Sequence, residues 1–284
     1  MLLYSNFNGE TIPESLVHIS PGNQSFKYGD GCFETMKMID ENILLQNYHL
    51  ERLYQSLVNL KLNISTNLNS HNLINQIIEL AQKNNHESFA RIRLTIYRKG
   101  ENYNDIGKEC GYIIQTMRGD ENTNQYNENG LVMGIYTGAL KSCDNFSTIK
   151  SNNYLPYIMA KIWALENNFD DALVCNTYGR VAESAIANIF IVEDGIIKTP
   201  PITEGCIGGV MRRHFLKCLN TERLPHREEA LNIEQVLNAA EVFLTNAING
   251  IRWIKKIDNS EYSNDLSSVL YKKYINPLLK RKTI

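Results

Sequence analysis

The chain has 284 residues, enough for one large domain or two of medium size. Hydrophobic residues make up 43% of it and charged residues 21%, as in ordinary globular proteins, and this composition argues against a disordered, fibrous or coiled-coil protein. The 29 lysines and arginines nearly balance the 31 aspartates and glutamates, so the chain lacks the basic excess typical of proteins that bind nucleic acid or membrane surfaces. An anionic ligand would therefore have to be bound by a local group of donors.

The cysteines and the N-terminal residues indicate the cellular setting. The six cysteines lie far apart in the chain, at Cys32, Cys110, Cys143, Cys175, Cys206 and Cys218. They form no C-x-x-C pair and have no histidine at zinc-finger spacing, so we expect neither a disulfide framework nor a metal site. The N-terminus reaches Asn6 and Asn8 before any long apolar run, and no later stretch is apolar for the length of a membrane helix. We therefore expect a cytoplasmic protein with no membrane partner.

The first half of the chain mixes strand and helix patterns, which is typical of an α+β or α/β protein. Alternating residues predict strands, and leucines at helical spacing predict amphipathic helices. The predicted elements are a hairpin of residues 33–38 and 43–45 around Asp40-Glu41-Asn42, helices over 47–61 and 72–84, and strands over 90–97 and 110–117. The 90–97 strand places Arg91 and Arg93 on one face.

Between Arg118 and Asn129 the apolar periodicity disappears, which predicts a solvated linker and a domain boundary. We therefore expect a small domain over residues 1–120 and a larger one over 121–284. The elements predicted for the larger domain are strands over 131–136, 172–175 and 241–244, a hairpin over 189–198 turning at Asp194-Gly195, and helices over 154–167, from 210 onward and up to about 279.

Two features are candidates for binding an anion or a cofactor. The glycines of residues 205–209 run into a helix near Val210, and the exposed amides of a helix's first turn suit a phosphate. The alternative is a tight turn that only begins a helix. Lys150 stands between an apolar strand end and a helix start, where a lowered pKa would favour Schiff-base chemistry. The alternative is an ordinary solvated lysine.

Two further charged residues interrupt apolar surroundings. Glu183 precedes an apolar hairpin and could hold a cofactor's ring nitrogen protonated. Its alternative roles are to cap a loop or to pair with Arg180. Arg52 lies within the leucine stripe of the 47–61 helix, and its alternative role is that of a solvated helix arginine.

Taken in chain order, these features resemble the class IV aminotransferase family of fold-type IV pyridoxal-phosphate enzymes over nearly the whole chain. The matching segments are Tyr28 to Thr35 (the family's "GDGxFET"), His49 to Leu53 ("HxxRL"), Lys150 with Asn153, Val181-Ala182-Glu183 with Asn188-Ile189-Phe190, Thr199-Pro200-Pro201, Gly205 to Arg212, and Phe243 to Ala247. The resemblance implies an α/β protein of the α+β type, with a smaller N-terminal α/β domain, a larger C-terminal pseudo-barrel domain and pyridoxal 5'-phosphate between them. It also implies a homodimer that acts on a small molecule.

The same resemblance assigns roles residue by residue. Lys150 corresponds to the lysine that binds the cofactor and removes the substrate proton, and Glu183 to the partner of the pyridine nitrogen. The residues implied in phosphate binding are Arg52, the backbone amides of Val210 and Met211, and the turn at Asn246 and Ala247. Thr35 corresponds to a proton donor for the leaving group, and its alternative role is that of a β-branched residue packed beside the cofactor.

Local details distinguish the reactions known in this family. Met211 stands where aminotransferases often carry threonine, and Asn246 and Asn249 lie where branched-chain enzymes keep small residues. Tyr154 after Asn153 favours the aminotransferases. We predict an aminodeoxychorismate lyase, which releases pyruvate and forms 4-aminobenzoate, a folate precursor. The alternatives are an aminotransferase of branched-chain or D-amino acids that uses 2-oxoglutarate, and a catalytically silent homologue.

A substrate with two carboxylates calls for cationic donors. Arg98 matches an arginine that faces the substrate in related enzymes, and its alternative role is that of a surface charge at a strand end. Further candidates are Arg91, Arg93 and Arg252.

Overall fold

The computed structural model describes residues 2–63, 68–101 and 107–279, and these form two compact units. The first unit holds the described residues up to Asp120 together with Ile149–Asn153. The second holds Glu121–Thr148 and the described residues from Tyr154 onward. The short segment around Lys150 therefore belongs by its contacts to the first unit, although the residues on both sides of it belong to the second.

The first unit is a sheet with helices. Its strands are β1 (Tyr4–Phe7), β2 (Glu10–Pro13), β3 (Gly31–Ile39), β4 (Asn42–Ile43), β5 (Phe89–Arg98) and β6 (Cys110–Arg118), and its helices are α1 (Gln24–Tyr28), α2 (Gln46–Asn59) and α3 (Ser70–Lys83). The described strands pair in the order β2-β1-β6-β5-β3-β4, antiparallel throughout. The predicted hairpin of β3 and β4 is confirmed, with Asp40 and Glu41 both at positive φ (47° and 59°) in its turn.

The two faces of this sheet differ because side chains alternate along each strand. Met36 of β3 and Ile92 of β5 lie in a core that also contains Leu57 of α2. Phe33 and Thr35 lie on the opposite face of β3, where Thr35 is the cross-strand partner of Arg93. The leucine stripe predicted for the 47–61 helix thus covers one face and leaves the other to polar and aromatic side chains. This second face is called the open face below.

The second unit is built on a larger, mixed sheet. Its strands are β7 (Leu131–Lys141), β8 (Asp171–Asn176), β9 (Val181–Ser184), β10 (Asn188–Glu193), β11 (Ile196–Thr199), β12 (His226–Glu228), β13 (Glu241–Asn246), β14 (Gly250–Ile257) and β15 (Ser260–Glu261). Its helices are α4 (Leu155–Glu166), α5 (Val210–Thr221), α6 (Ile233–Leu237), α7 (Asp265–Leu270), a π-helical segment (Tyr271–Ile275) and α8 (Asn276–Leu279). Within the described residues the order is β12-β11-β10-β13-β14-β7-β8-β9, with β15 beside β14.

The pairing combines both directions. β7 is parallel to β8 and β14, and β11 is parallel to β12, whereas the other pairs are antiparallel. The mixed α/β class predicted from the sequence is therefore confirmed. In the part of the chain that the structure describes, no helix has both the length and the apolar character needed to cross a membrane.

The predicted linker differs from the expectation. Asn127 exchanges hydrogen bonds with the backbone of Trp253, through its Nδ2 to the Trp253 oxygen (2.9 Å) and its Oδ1 to the Trp253 amide (3.0 Å). The ring of Tyr126 lies 5.2 Å from that of Tyr271, measured between centroids. The polar composition of this segment therefore indicates side chains that bind the second unit rather than a fully solvated connection. The strand β14, which supplies Trp253, was not predicted.

The core of the first unit gives a direct test of this packing. Leu57 of α2 is fully buried, whereas its neighbour Val58 is 62% exposed. We expect Leu57→Ala to lower the free energy of unfolding by about 2–5 kcal/mol, because it removes buried methyl groups and leaves a cavity. Val58→Ala is the matched control and should cost less than about 1 kcal/mol. Urea denaturation measures both, and equal losses would contradict the assignment of the buried face.

Candidate functional site

Lys150 is held against β3 by its own carbonyl and by the backbone of Asn152. Its own carbonyl accepts a hydrogen bond from the amide of Phe33 (2.9 Å), and the Asn152 amide donates to the carbonyl of Gly31 (3.0 Å). The Asn152 side chain adds a third link, from Nδ2 to the carbonyl of Ile96 in β5 (2.9 Å). These bonds extend the sheet by a short antiparallel bridge, so the position of Lys150 is set by backbone geometry.

Two cations lie over one ring on the open face of the first sheet. The Nζ atom of Lys150 is 4.6 Å from the centroid of the Phe33 ring, and the Cζ atom of Arg93 is 4.0 Å from it. Thr35 is half-buried on the same face, two residues further along β3. The structure thus brings Lys150 and Arg93 to a common aromatic ring, where cation–π attraction stabilises both.

Arg98 has a different environment from the one expected. It is buried, and its guanidinium donates to Asp30 Oδ2 (2.6 Å), to the Gly107 carbonyl (2.9 Å) and to the Leu60 carbonyl (2.7 Å). These contacts connect Asp30, in the segment Tyr28 to Thr35, with the backbone at two other places in the chain. They therefore favour a structural role for Arg98. Substrate binding by Arg98 stays a prediction.

The other predicted substrate determinants are dispersed. Arg91 is exposed on β5, and Arg252 is half-buried on β14 of the second unit. Residues 102–106, between β5 and β6, lie outside the described residues.

Arg52 is oriented by a buried carboxylate. Its Nε and Nη2 atoms donate to the two oxygens of Glu34 (2.8 and 2.6 Å), and His49 Nδ1 lies 2.6 Å from Glu34 Oε2. Burial alone would raise the pKa of Glu34, but the charges of Arg52 and His49 and their hydrogen bonds outweigh it and lower the pKa to about 2. Arg52 is therefore a fixed cation rather than a mobile helix side chain.

Glu183 on β9 is a buried carboxylate surrounded by donors. It is 2% exposed, and its Oε1 accepts hydrogen bonds from the Tyr157 hydroxyl (2.5 Å) and the Ile207 amide (2.9 Å). Its Oε2 accepts from Asn188 Nδ2 (3.3 Å). The alternative pairing with Arg180 does not occur, because Arg180 forms a two-point ion pair with Glu204 (2.6 and 2.8 Å).

Helix α5 begins without a side-chain cap. The residue before its first turn is Gly209, which has no side chain to bond the amides of Val210 and Met211. A Cβ atom on Gly209 would lie 1.9 Å from Asn188 Oδ1, so only glycine allows this approach. The first-turn amides and the helix dipole together suit an anion such as phosphate.

The predicted Asn246 turn lies beside this helix start. Thr245 is the cross-strand partner of Asn188, and its buried hydroxyl has no hydrogen-bond partner within the described parts of the chain. The Asn246 side chain holds the turn itself, because its Oδ1 accepts from the amides of Ile248 (3.0 Å) and Asn249 (2.8 Å). Its Nδ2 group donates to the Ile186 carbonyl (3.5 Å).

Sequence reasoning did not single out Tyr157, which contacts Glu183 directly. It named Asn188, a second contact of Glu183, only within a matching segment, and Arg93 only as one of several candidate arginines. The tyrosine in the first turn of α4 is the only signal that could have been noticed, because the other contacts depend on strand pairing.

Comparison with known proteins identifies relatives over most of the chain. A model of the family described as amino-transferase class IV matches residues 31–257. A protein from Methanocaldococcus jannaschii, provisionally named as a branched-chain-amino-acid aminotransferase, is 28% identical over 270 residues, which cover 94% of this chain and 92% of that protein. An aminodeoxychorismate lyase from Vibrio harveyi is 26% identical over 252 residues, which cover 88% and 91%.

Solved structures show the same architecture. The branched-chain aminotransferase of Thermoproteus uzoniensis, crystallised with norvaline, has a TM-score of 0.88 to this chain at 20% identity. The match covers 100% of this chain and 97% of that one. The fold expected from the sequence is thereby confirmed.

The Glu34 ion pairs predict how stability depends on pH. The folded-state pKa of Glu34 is lowered from 4.5 to about 2, so its contribution is complete above about pH 5 and is lost as the pH falls through 2. We expect wild-type protein to lose about 3 kcal/mol more than Glu34→Gln over this range. Glu51→Gln, at an exposed position of α2, is the control. Parallel pH profiles for wild type and Glu34→Gln would contradict the ion-pair account.

Proposed function

The chain belongs to the class IV aminotransferase family, and from this premise we propose that it is a pyridoxal-phosphate-dependent lyase that acts on aminodeoxychorismate. Members of this family catalyse either elimination or amino transfer, and the chain is an enzyme of this kind. Three charged residues argue against a catalytically silent homologue: Lys150, Arg52 and Glu183. Hydrogen bonds or an ion pair with neighbouring groups hold each of them in place, unlike a solvated charge on the surface.

The open face of the first sheet carries this proposal. It presents a lysine, an arginine over the same ring and a threonine hydroxyl on one strand pair. An elimination from a substrate with two carboxylates needs a base, a cation for a carboxylate and a proton donor for the leaving group. The base would be Lys150, the cation would be Arg93, and the proton donor would be Thr35. Arg93 thus replaces Arg98 as the substrate-binding arginine in this proposal.

The donors of the chain fit pyridoxal phosphate. Glu183 would bind the ring nitrogen, and the α5 amides of Val210 and Met211, the Asn246 turn and Arg52 would bind the phosphate. When bound, the cofactor supplies an electron sink that stabilises negative charge on the substrate carbon. The residues of the chain do the rest: Lys150 holds the cofactor and later accepts the proton of the amine-bearing carbon.

The proposed elimination accounts for the proton that is removed, the bond that breaks and both products. The proton leaves the amine-bearing carbon to Lys150, the bond between the ring and the enolpyruvyl oxygen breaks, and Thr35 supplies or relays the proton that this leaving group takes up. The ring becomes aromatic, which drives the step. The products are 4-aminobenzoate and pyruvate.

An aminotransferase is the second candidate. The relatives named for the two reactions have nearly equal identity to the chain, 28% and 26%. Tyr154 lies at the start of α4 and its hydroxyl donates to the Ala185 carbonyl (3.4 Å), which places the aminotransferase-like residue of the Asn153-Tyr154 pair in an ordered position. A branched-chain or D-amino acid with 2-oxoglutarate would be the substrates.

Product analysis separates the two reactions. We expect pyruvate release from aminodeoxychorismate with no added amino acceptor, because elimination returns the cofactor to Lys150 without one. Assays of leucine or D-alanine with 2-oxoglutarate are run beside it, and Lys150→Ala is the inactive control in both. Efficient turnover in the aminotransferase assays alone would overturn the lyase proposal and leave the second candidate.

Glu183 and Arg52 should affect different steps. Glu183→Gln removes the charge that keeps the ring nitrogen protonated, so we expect turnover to fall while cofactor affinity changes little. Arg52→Ala removes a charge-assisted contact worth about 1.5–3 kcal/mol, so cofactor affinity should fall first. Arg52→Lys, which keeps the charge, is the control. Cofactor titration and single-turnover kinetics measure both, and equal effects of the two changes would refute this division.

We propose that the chain forms a homodimer through α4. Five apolar residues of this helix are exposed, at spacings of one to four: Leu155, Ile158, Met159, Ile162 and Leu165, from 40% to 64%. A stripe of this kind is rare on soluble monomers and suits a second copy of the same chain. Such a partner also agrees with the homodimer that the family resemblance implies.

Charge on this stripe should separate the subunits. We expect Ile162→Glu to sediment as a monomer at low micromolar concentration, because a carboxylate would be buried in the interface. Glu166→Gln, at an exposed position of the same helix, should remain dimeric. A wild-type protein that sediments as a fully active monomer would contradict the proposal.

A further inference from the structure

A buried lysine of the second unit has no role in the chemistry above. Lys141 ends β7 and is 9% exposed, and its Nζ atom donates to the Ser147 carbonyl (3.2 Å). The same atom lies over the ring of Tyr157, 4.8 Å from its centroid. Burial of a lysine is costly unless neighbouring groups stabilise its charge, so the surroundings of Lys141 determine this cost.

The ring that Lys141 contacts belongs to Tyr157, which is hydrogen-bonded to Glu183. Tyr157 is itself buried, and its hydroxyl donates to Glu183 Oε1 (2.5 Å). Its ring also stacks on that of Tyr154, with the two centroids 4.4 Å apart and the planes 29° from parallel. A cation, an aromatic ring, a hydroxyl and a carboxylate therefore form one continuous line of contacts inside the second unit.

The electrostatics of this line favour an ionised Glu183. A carboxylate that accepts hydrogen bonds is a weaker base, and a donor polarised by a nearby cation is a stronger donor. Burial and the adjacent Glu183 raise the pKa of Tyr157 well above its usual value, so its hydroxyl keeps the proton that it donates. Burial lowers the pKa of Lys141, and the charge of Glu183 acts against this reduction.

We propose that Lys141 is a positioning residue that acts through Tyr157 to keep Glu183 ionised and correctly oriented toward the cofactor's ring nitrogen. The inference rests on the proposed function, in which Glu183 is the partner of that nitrogen. Lys141 touches neither the cofactor nor the substrate in this account. Its contribution is to reduce the tendency of Glu183 to take the ring proton for itself.

The proposal predicts the effect of each substitution. Tyr157→Phe keeps the ring under Lys141 but removes one of the two donors to Glu183 Oε1, leaving the Ile207 amide. Lys141→Met keeps the length of the side chain but removes its charge. In both variants Glu183 becomes the stronger base, and one pKa unit alters the ratio of protonated to unprotonated ring nitrogen about tenfold.

The test is ¹⁵N NMR of the holoenzyme reconstituted with ring-¹⁵N-labelled pyridoxal phosphate. We expect the nitrogen resonance of Tyr157→Phe and Lys141→Met to move from the protonated toward the unprotonated value, and Lys141→Arg to restore it. Lys217→Met, at an exposed position of α5, should leave the resonance unchanged. In the Tyr157→Phe background the further effect of Lys141→Met should be smaller, because no hydroxyl remains for the cation to polarise and only the direct charge interaction with Glu183 is left.

The thermal midpoint of each apoprotein is measured in parallel, since a merely structural role would lower it without moving the resonance. An unchanged resonance in Tyr157→Phe and Lys141→Met, with a clear shift in Glu183→Gln, would overturn this inference and leave the proposed function intact. An unchanged resonance in Glu183→Gln would overturn both.

Discussion

The backbone hydrogen bonds between β3 and the segment around Lys150 are the constraint on which the rest of the account depends. They attach a lysine from the middle of the chain to a strand near its beginning, through the Phe33 amide and the Gly31 carbonyl. Because these bonds involve main-chain atoms, they hold Lys150 whatever its side chain does. The open face that Lys150 shares with Arg93 follows from this attachment and from the alternation of β3 and β5.

Each of the two units contains a buried carboxylate that is surrounded by hydrogen-bond donors. Glu34 lies between Arg52 and His49, and Glu183 lies among a hydroxyl and two N–H donors. An ionised carboxylate is stable in such surroundings only when its lone pairs are occupied. In each arrangement the donors therefore supply the stabilisation that water would give to an exposed carboxylate. Glu34 uses its charge to orient a cation, whereas Glu183 is proposed to use its charge on the cofactor.

Local patterns predicted much of the fold. The hairpin turning at Asp40 and the helix containing Leu57 follow from turn residues and from helical spacing, both of which act over a few residues. Strand β14 was missed because its lysines and arginine obscure the alternation, which only the pairing with β13 reveals. The same limit applies to the hydrogen bonds of Asn127 with Trp253, which lie far apart in the chain.

The sequence predicted the roles of residues in the site better than it predicted which side chains contact one another. Motif order placed Lys150 and Glu183 in roles that their surroundings support, but no spacing rule indicates that Tyr157 reaches Glu183 or that Asp30 takes up Arg98. A strand pattern assigns Arg93 to a face without saying what lies on that face. Long-range pairing decides these points, and it depends on the packed structure.

The attachment of the cofactor to Lys150 is the central claim, and borohydride reduction tests it most directly. Reduction of the holoenzyme fixes the cofactor to the lysine that holds it, and peptide mass mapping then identifies that lysine. The account predicts that the pyridoxyl group lies on the peptide containing Lys150. Finding it on Lys141, the buried lysine nine residues earlier in the chain, or finding no modified lysine, would contradict this claim.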